Sequence, residues 1–382
     1  MRRPTFLRIR AVAPAMLALA VSACGGGGGT YGTSAPPVDA PVREHYSSLE
    51  MAFASSHHAA VKMADGRVAV VGGSRGLSTL SDSVDLFDPA GRTWTHIASM
   101  VTGRSGACAI EVAPGRLFVN GGAVSLSGQV ATEWIDTRAR TATPGAADSP
   151  RRLAHTCTLL ADGHVLVVGG RSNESFPGGA SMSAEIWNPA TGAWRFAAGR
   201  MQSARSAHTA TLLPDGRVLL VGGFGQATIQ GSFEIFDPVT EVFTQVAAPA
   251  AARSSHAAFL QGDGSVTVVG GEDDTRALAS IASIDARHGT AELAGTQLAA
   301  PLSAVTGVAR PDGSVLLFGG LGADFLPRAQ AWLLSRGQVQ ARMWLPSPRA
   351  FHSATLLADG RVLILGGEGP SGALLDQALL YD

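Results

Sequence analysis

The sequence predicts an all-β fold assembled from seven copies of one unit of four short strands. Three markers that recur at fixed spacing support this prediction. Pairs of glycines recur every 47 to 53 residues and begin at Gly72, Gly121, Gly169, Gly222, Gly270, Gly319 and Gly366. Another glycine stands six residues before each pair and follows aspartate in six of the seven copies. A histidine stands fourteen residues before the pair in five copies, as His58, His155, His208, His256 and His352.

The stretch Arg205–Gly223 shows the first half of the unit. Residues 208–213 predict a first strand, and the apolar run 217–221 predicts a second. Asp215-Gly216 between them indicates a tight hairpin, because both central residues of such a turn readily adopt positive φ.

The second half of the unit follows the glycine pair. Residues 232–236 alternate in polarity and predict a third strand. Asp237-Pro238 then favours a turn, and Phe243 marks the fourth strand. A unit this small cannot bury both of its faces alone, so the copies are expected to stack on one another.

A period near 50 residues with a double glycine indicates kelch repeats. Over residues 43–382 these markers resemble the kelch-repeat β-propeller family, including the propeller of galactose oxidase. The resemblance implies a seven-bladed propeller with four-stranded antiparallel blades. The sixth copy departs most, with Val305 in the histidine position and Leu334-Ser335 near the usual turn.

The two ends of the predicted propeller complement each other. The last copy stops at Tyr381-Asp382, where its third strand ends. His45–Met51 resembles Trp94–Met100, the segment that precedes the second copy. Because kelch propellers commonly build one blade from both termini, the resemblance implies that Arg43–Phe53 supplies the outer strand of the seventh blade.

The N-terminus predicts export and lipidation. Residues 1–23 combine four arginines, an apolar run and small residues, and Cys24 follows directly. This order resembles the lipobox of bacterial lipoproteins, which implies lipidation at Cys24; an ordinary secretory signal that ends at Ala23 is the alternative. Residues 24–42 start with five glycines after Cys24 and predict a lipidated flexible tether. Gly25, rather than Asp, after the cysteine indicates outer-membrane sorting if the host has two membranes.

Several classes of function are disfavoured. The formal net charge of −1 gives no electrostatic reason to expect a nucleic-acid partner. Three tyrosines are too few for the copper-radical site that galactose oxidase would imply, and no nucleophile elbow, phosphate loop or HExxH motif occurs. We therefore predict no catalytic residue, no metal and no cofactor. Glu272-Asp273-Asp274 is interpreted as a solvated loop tip, and the repeated histidines as structural.

Five arginines are the candidate ligand-binding residues. They stand three residues before the histidine position and are Arg104, Arg152, Arg205, Arg253 and Arg349. In an up-and-down blade this point shares a face with the loop after the glycine pair. Arginines of kelch adaptors grip acidic peptides here, so the resemblance implies recognition of anionic or oxygen-rich partners. The alternative is that they pair with carboxylates such as Glu185 and Glu234 as struts.

Cys108 and Cys157 lie on the first strands of neighbouring copies. Sheets pack about 10 Å apart, whereas a disulfide requires Cα atoms within about 7 Å. Two buried thiols are therefore the expectation, and a disulfide is the alternative.

These observations predict a monomeric, lipid-anchored binding module of the bacterial cell envelope, held outside the cytoplasm. It would recognise a protein, peptide or glycan on one propeller face. The alternatives are a periplasmic sugar-active enzyme similar to the kelch-type sialic acid mutarotases, and a structural envelope protein.

Overall fold

The computed structural model describes residues 46–76, 79–124, 131–145, 152–172, 179–246 and 252–382. These residues form seven four-stranded antiparallel sheets, which are the blades of a propeller. The predicted all-β, seven-bladed fold is therefore confirmed. The signal peptide and tether predicted over residues 1–42, including Cys24, lie outside the described residues, as does Arg43.

The strands occupy four equivalent places in the blades. The first strands are β2 Ala59–Lys62, β7 Cys108–Ala113, β13 Thr156–Leu159, β18 Thr209–Leu212, β22 Ala257–Leu260, β26 Thr306–Ala309 and β30 Ser353–Leu356. The second strands are β3 Val68–Val71, β8 Arg116–Asn120, β14 Val165–Val168, β19 Val218–Val221, β23 Val266–Val269, β27 Val315–Phe318 and β31 Val362–Leu365.

The outer half of each blade contains the third and fourth strands. The third strands are β4 Ser83–Asp88, β10 Thr132–Asp136, β16 Ala184–Trp187, β20 Phe233–Asp237, β24 Ser280–Asp285, β28 Arg328–Ser335 and β32 Gln377–Tyr381. The fourth strands are β5 Thr93–Ser99, β11 Thr141–Pro144, β17 Trp194–Phe196, β21 Val242–Val246, β25 Thr290–Gln297, β29 Gln338–Arg349 and, in the seventh blade, β1 Tyr46–Glu50.

The seventh blade contains strands from both ends of the described chain. β1 pairs antiparallel with β32, with Tyr46 opposite Tyr381 and Glu50 opposite Gln377. The sheet order is β1, β32, β31, β30, so the N-terminal strand takes the outer place. This pairing covers an edge of β32 that would otherwise present unpaired backbone groups.

Short elements complete the structure. Two-residue strands pair just before the first strand of the second and third blades: β6 Arg104–Ser105 with β9 Ala123–Val124, and β12 Arg152–Leu153 with β15 Arg171–Ser172. A single turn of 3-10 helix covers Pro370–Gly372. Within the residues that the structure describes, no helix has the length and apolar character needed to cross a membrane.

The core consists of apolar layers between neighbouring blades. The second strands are almost entirely buried, because a blade packs against each of their two faces. Leu166 and Val168 of the third blade, for example, pack in one cluster with Val218 and Leu220 of the fourth. The first strands contact one another in a closed ring around the axis, so they line the central channel.

The glycine pairs are the joints between blades. We call the residue seventeen positions before each pair the leading residue; the seven are Ser55, Arg104, Arg152, Arg205, Arg253, Leu302 and Arg349. The second glycine of every pair donates its N–H to the backbone carbonyl of the leading residue of the next blade, at 2.7 to 2.9 Å. The first glycine has φ of +54° to +65°, and a Cβ there would lie no more than 2.6 Å from that carbonyl oxygen. Only glycine fits this close approach at positive φ.

Candidate functional site at the channel mouth

Seven equivalent residues mark one end of the central channel. Each follows a glycine pair directly and forms a bridge to the residue after the leading position of its own blade, as Phe224 does with Ser206. All seven are half-buried, although the glycine pairs beside them are buried. We call this set the channel mouth; its members are Ser74, Ala123, Arg171, Phe224, Glu272, Leu321 and Glu368. The framework repeats from blade to blade, but these residues differ in charge and size.

Glu368 forms one polar cluster of the mouth with residues of the first blade. The Ser56 hydroxyl donates to its Oε1 at 2.7 Å, and Nδ1 of His57 lies 3.5 Å from the same oxygen. The His57 ring stacks on Phe351 with 4.3 Å between centroids. Burial lowers the pKa of His57 to about 4, so the imidazole is neutral at pH 7. A carboxylate, a neutral imidazole and an aromatic face therefore converge at the joint of the seventh and first blades.

Glu272 forms a second polar cluster on the fifth blade. Its carboxylate accepts from the Ser255 hydroxyl at 3.1 Å and from the Ser254 hydroxyl at 3.5 Å. Burial raises the pKa of Glu272, and the two hydroxyls oppose this shift. The interpretation of 272–274 as a solvated tip is thus wrong for Glu272. Asp273 does accept within its own turn, and Asp274 accepts the backbone N–H of Ile229 from the neighbouring blade.

Cationic side chains lie over aromatic rings near the mouth. The Arg171 guanidinium lies 5.1 Å from the centroid of Phe224, and that of Arg75 lies 3.6 Å from the centroid of Phe53. Each guanidinium is attracted to the face of its aromatic ring, which helps to fix both side chains.

The five candidate arginines are instead internal. Each donates through Nη1 to the carbonyl of the first glycine of its own blade, as Arg205 does to Gly222 at 2.6 Å. Arg104, Arg152 and Arg205 also pair through Nη2 with Glu133, Glu185 and Glu234 respectively. Arg253 donates to the Ser280 hydroxyl and Arg349 to the Gln377 side-chain oxygen.

The burial of these arginines decides whether they bind a ligand or stabilise the fold. Arg104, Arg205 and Arg349 have no exposed surface, and Arg152 and Arg253 are 4% and 2% exposed. Burial lowers the pKa of all five, to about 10 for Arg253 and Arg349, so they stay charged at pH 7. The expectation that they contact a ligand disagrees with this geometry, because their donors turn inward to glycine carbonyls and carboxylates. They brace their own blades: Arg152 and Arg205 pair with Glu185 and Glu234 as the alternative proposed, but within one blade and not between blades.

The repeated histidines connect neighbouring first strands. Nε2 of His208 lies 3.0 Å from the Thr156 hydroxyl, that of His256 lies 2.9 Å from the Thr209 hydroxyl, and that of His58 lies 2.9 Å from the Ser353 hydroxyl. In each case the hydroxyl belongs to the residue after the histidine position of the preceding blade. The structural role predicted for these histidines agrees with this pattern.

Cys108 and Cys157 form a disulfide with 6.1 Å between their Cα atoms. The expectation of two free thiols is therefore wrong. It used the mean spacing of packed sheets, but blades fan out from an axis. Their first strands approach each other more closely than their outer strands do.

Comparison with known proteins agrees with this geometry. Residues 57–101 match the Kelch motif. The chain is a seven-bladed β-propeller, and the matched residues cover the four strands of its first blade. No curated protein shows significant sequence similarity to it.

Solved structures share the fold. One is a "novel fungal alcohol oxidase with catalytic diversity among the AA5 family, in complex with copper", with a TM-score of 0.71 and 17% identity over 89% of this chain and 76% of that one. Another is YjhT, with a TM-score of 0.56 and 16% identity over 72% of this chain and 93% of that one. At these identities the similarity concerns the fold alone.

Proposed function

We propose that this kelch propeller is a lipid-anchored binding module of the cell envelope that recognises a glycan or peptide at the channel mouth. One observation carries the proposal. Seven equivalent half-buried positions surround the end of the channel, and they combine an arginine, two carboxylates and aromatic or aliphatic groups on a repeated framework. Variation within a regular scaffold is expected where a surface is adapted to a partner.

The chemistry of the mouth favours a polar partner with little net charge. Glu272 and Glu368 offer carboxylate oxygens on two blades, and Arg171 offers donors on a third. Sugar hydroxyls and peptide amides can donate to the first two and accept from the third, while Phe224 and Phe351 supply apolar faces. The buried arginine struts no longer supply an electrostatic reason for a strongly anionic partner.

The test combines a glycan array with a pull-down, using residues 38–382. Binding should fall at least about tenfold in Glu272→Gln and in Glu368→Gln, since each loses a charge-assisted hydrogen bond. Glu292→Gln is the matched control, because Glu292 lies exposed on the outer strand β25 of the same blade as Glu272. Equal binding by all three variants would refute recognition at the mouth, and absence of any partner would favour the structural alternative.

The anchor is the second part of the proposal. The basic start, the apolar run and Val21-Ser22-Ala23-Cys24 support lipidation of Cys24. Intact-mass analysis of membrane-extracted protein should show a mature chain that begins at Cys24 and carries acyl chains, and Cys24→Ser should abolish that form. A mature, unmodified N-terminus in the soluble fraction would refute the anchor.

A sugar-active enzyme is the second candidate, and Glu272 is the observation that favours it. Burial raises the pKa of Glu272, which is the direction that makes a carboxyl more suitable as a general acid. NMR exchange spectroscopy on free reducing sugars would detect faster interconversion of anomers. Enhancement that Glu272→Gln abolishes would support the enzyme, and rates equal to buffer would exclude this activity for the sugars tested.

A further inference from the structure

A cluster of two cysteines and a histidine lies at the joint of the second and third blades. The Sγ atoms of Cys108 and Cys157 and a ring nitrogen of His155 all lie within 4.8 Å of one another. His155 and Cys157 are buried, and Cys108 is half-buried. In the present structure the two sulfurs are bonded to each other.

His155 differs from three of the other four repeated histidines. His208, His256 and His58 each bond to a hydroxyl of the preceding blade through Nε2. At the joint before His155, the residue equivalent to those hydroxyl residues is Cys108. Neither ring nitrogen of His155 bonds to a side chain of the preceding blade, although the ring is buried; the same holds for His352, but its joint has Thr306 in the place of Cys108. A buried ring that has no hydroxyl partner and lies beside two sulfurs is placed to act as a ligand.

Both cysteines also depart from the repeat. The place of Cys157 is taken by Ala60, Ala109, Ala210, Ala258, Gly307 and Ala354 in the other blades. The place of Cys108 is taken by hydroxyl residues or alanine. The framework therefore does not require either sulfur, and both cysteines lie beside the ring of His155.

We propose that reduction of the Cys108–Cys157 disulfide creates a binding site for one soft, thiophilic metal ion, held by both thiolates and by His155. A dithiol reductant would supply two electrons and two protons, and it would itself be oxidised to a disulfide. The two cysteines become thiols, and each loses its proton when the metal binds. The disulfide thus closes the site, and reduction opens it.

Three ligands in an apolar setting favour Cu(I). Thiolate and imidazole ligands suit soft ions. Metal–sulfur bonds of about 2.3 Å place two sulfur ligands of one ion at most about 4.6 Å apart, so the sulfurs have to separate after reduction, and the ring of His155 already lies within 4.8 Å of both. Structural zinc sites almost always take four protein ligands. The surroundings include Phe118, Val167 and Trp187.

The test uses full-length protein carrying Cys24→Ser, which removes the third of the three cysteines. The protein is reduced, freed of reductant without oxygen, and titrated with Cu(I) in competition with a chromophoric chelator. We expect one ion per reduced chain and none per oxidised chain. Cys157→Ala, which carries the usual residue of the repeat, should not bind. His155→Ala should bind at least about tenfold more weakly, because loss of even an indirect ligand partner typically costs this much.

His208→Ala is the matched control, since it occupies the same place one blade further on, and it should bind like the parent. The proposal is overturned if the reduced parent takes up no ion, if His155→Ala and His208→Ala bind equally, or if Zn(II) binds more tightly than Cu(I). The double variant Cys108→Ser/Cys157→Ala separates folding from binding. Its circular dichroism should match that of the reduced parent, while it takes up no ion.

Discussion

The Arg205 guanidinium donates to Oε1 of Glu234 at 2.7 Å, and neither side chain has any exposed surface. The same guanidinium donates to the Gly222 carbonyl of its own blade, while the Arg205 carbonyl accepts the N–H of Gly170 from the preceding blade. The side chain of Arg205 thus braces its own blade, while its backbone joins that blade to the preceding one. A ligand that needed this guanidinium would have to break the buried ion pair with Glu234.

Removal of this strut should destabilise the fold rather than weaken recognition alone. Arg205→Ala leaves Glu234 buried beside no cation, which typically costs about 3–5 kcal/mol. The free energy of unfolding in urea should fall by that amount. Arg217→Ala is the control, because Arg217 pairs with Asp215 at a solvent-exposed hairpin tip and should cost about 1 kcal/mol or less. Unchanged stability of Arg205→Ala together with weaker partner binding would contradict the strut.

The glycine joints should be the least substitutable positions of the chain. Gly222 has φ of +58°, and an added Cβ would meet the Arg253 carbonyl of the next blade. Gly222→Ala should therefore lower the free energy of unfolding by more than about 3 kcal/mol, or prevent soluble expression.

Gly216→Ala separates the two causes of that loss, which are the strain of a positive φ and the clash with the next blade. Gly216 has φ of +86°, but nothing lies within 4 Å of its added Cβ. It should cost only the backbone term of about 1–2 kcal/mol. Equal losses for the two variants in urea unfolding would show that contact between blades is not what requires glycine at position 222.

Closure of the ring by β1 predicts that deletion of residues 43–51 strongly destabilises the domain. β1 forms five residue pairs with β32, and Leu49 packs against buried residues such as Leu380. Without β1 the β32 edge is exposed and invites aggregation. Thermal unfolding and sedimentation should show a lower melting temperature or insoluble protein. Deletion of the predicted tether, residues 25–42, is the control and should leave both unchanged; the same behaviour for residues 43–51 would refute closure.

The sequence contained most of the framework because local turn chemistry repeats. Asp215-Gly216 and its equivalents place the hairpins, and the glycine pairs place the joints. The sheet order within a blade follows from these markers. What they do not contain is the radial distance between neighbouring first strands, and for that reason the Cys108–Cys157 bond was not expected.

Side-chain direction was the second missing quantity. Whether Arg205 reaches solvent or turns back to Gly222 depends on contacts within the folded blade, which no spacing in the sequence encodes. Glu272 was interpreted by its acidic neighbours instead of by its place directly after a glycine pair. Alignment of that place across the seven copies would have grouped it with Glu368 and Arg171 from the sequence alone.

The buried histidines of the repeat predict that the fold loses stability in mild acid. Burial lowers the pKa of His256 and of His155 to about 3, and that of His58 to about 4. The unfolded chain takes up a proton on each below pH 6.5, but the folded chain does not until these lower values. The stability due to the neutral imidazoles is therefore complete above pH 6.5 and is lost as the pH falls toward 3. Within that window each of these histidines lowers the free energy of unfolding by about 1.4 kcal/mol for every pH unit of acidification.

His256→Gln tests this dependence one ring at a time. The variant retains an amide that can bond to the Thr209 hydroxyl, yet it cannot take up a proton when the chain unfolds. Its free energy of unfolding should fall less steeply between pH 6 and pH 5 than that of the parent. The difference in slope should be about 1.4 kcal/mol per pH unit, which corresponds to one proton. His288→Gln is the control, because His288 is exposed beside Asp285 and lies outside the ring. If the free energy of unfolding of His256→Gln depended on pH as steeply as that of the parent, His256 would have to be protonated in the folded state. The acid sensitivity would then have another source.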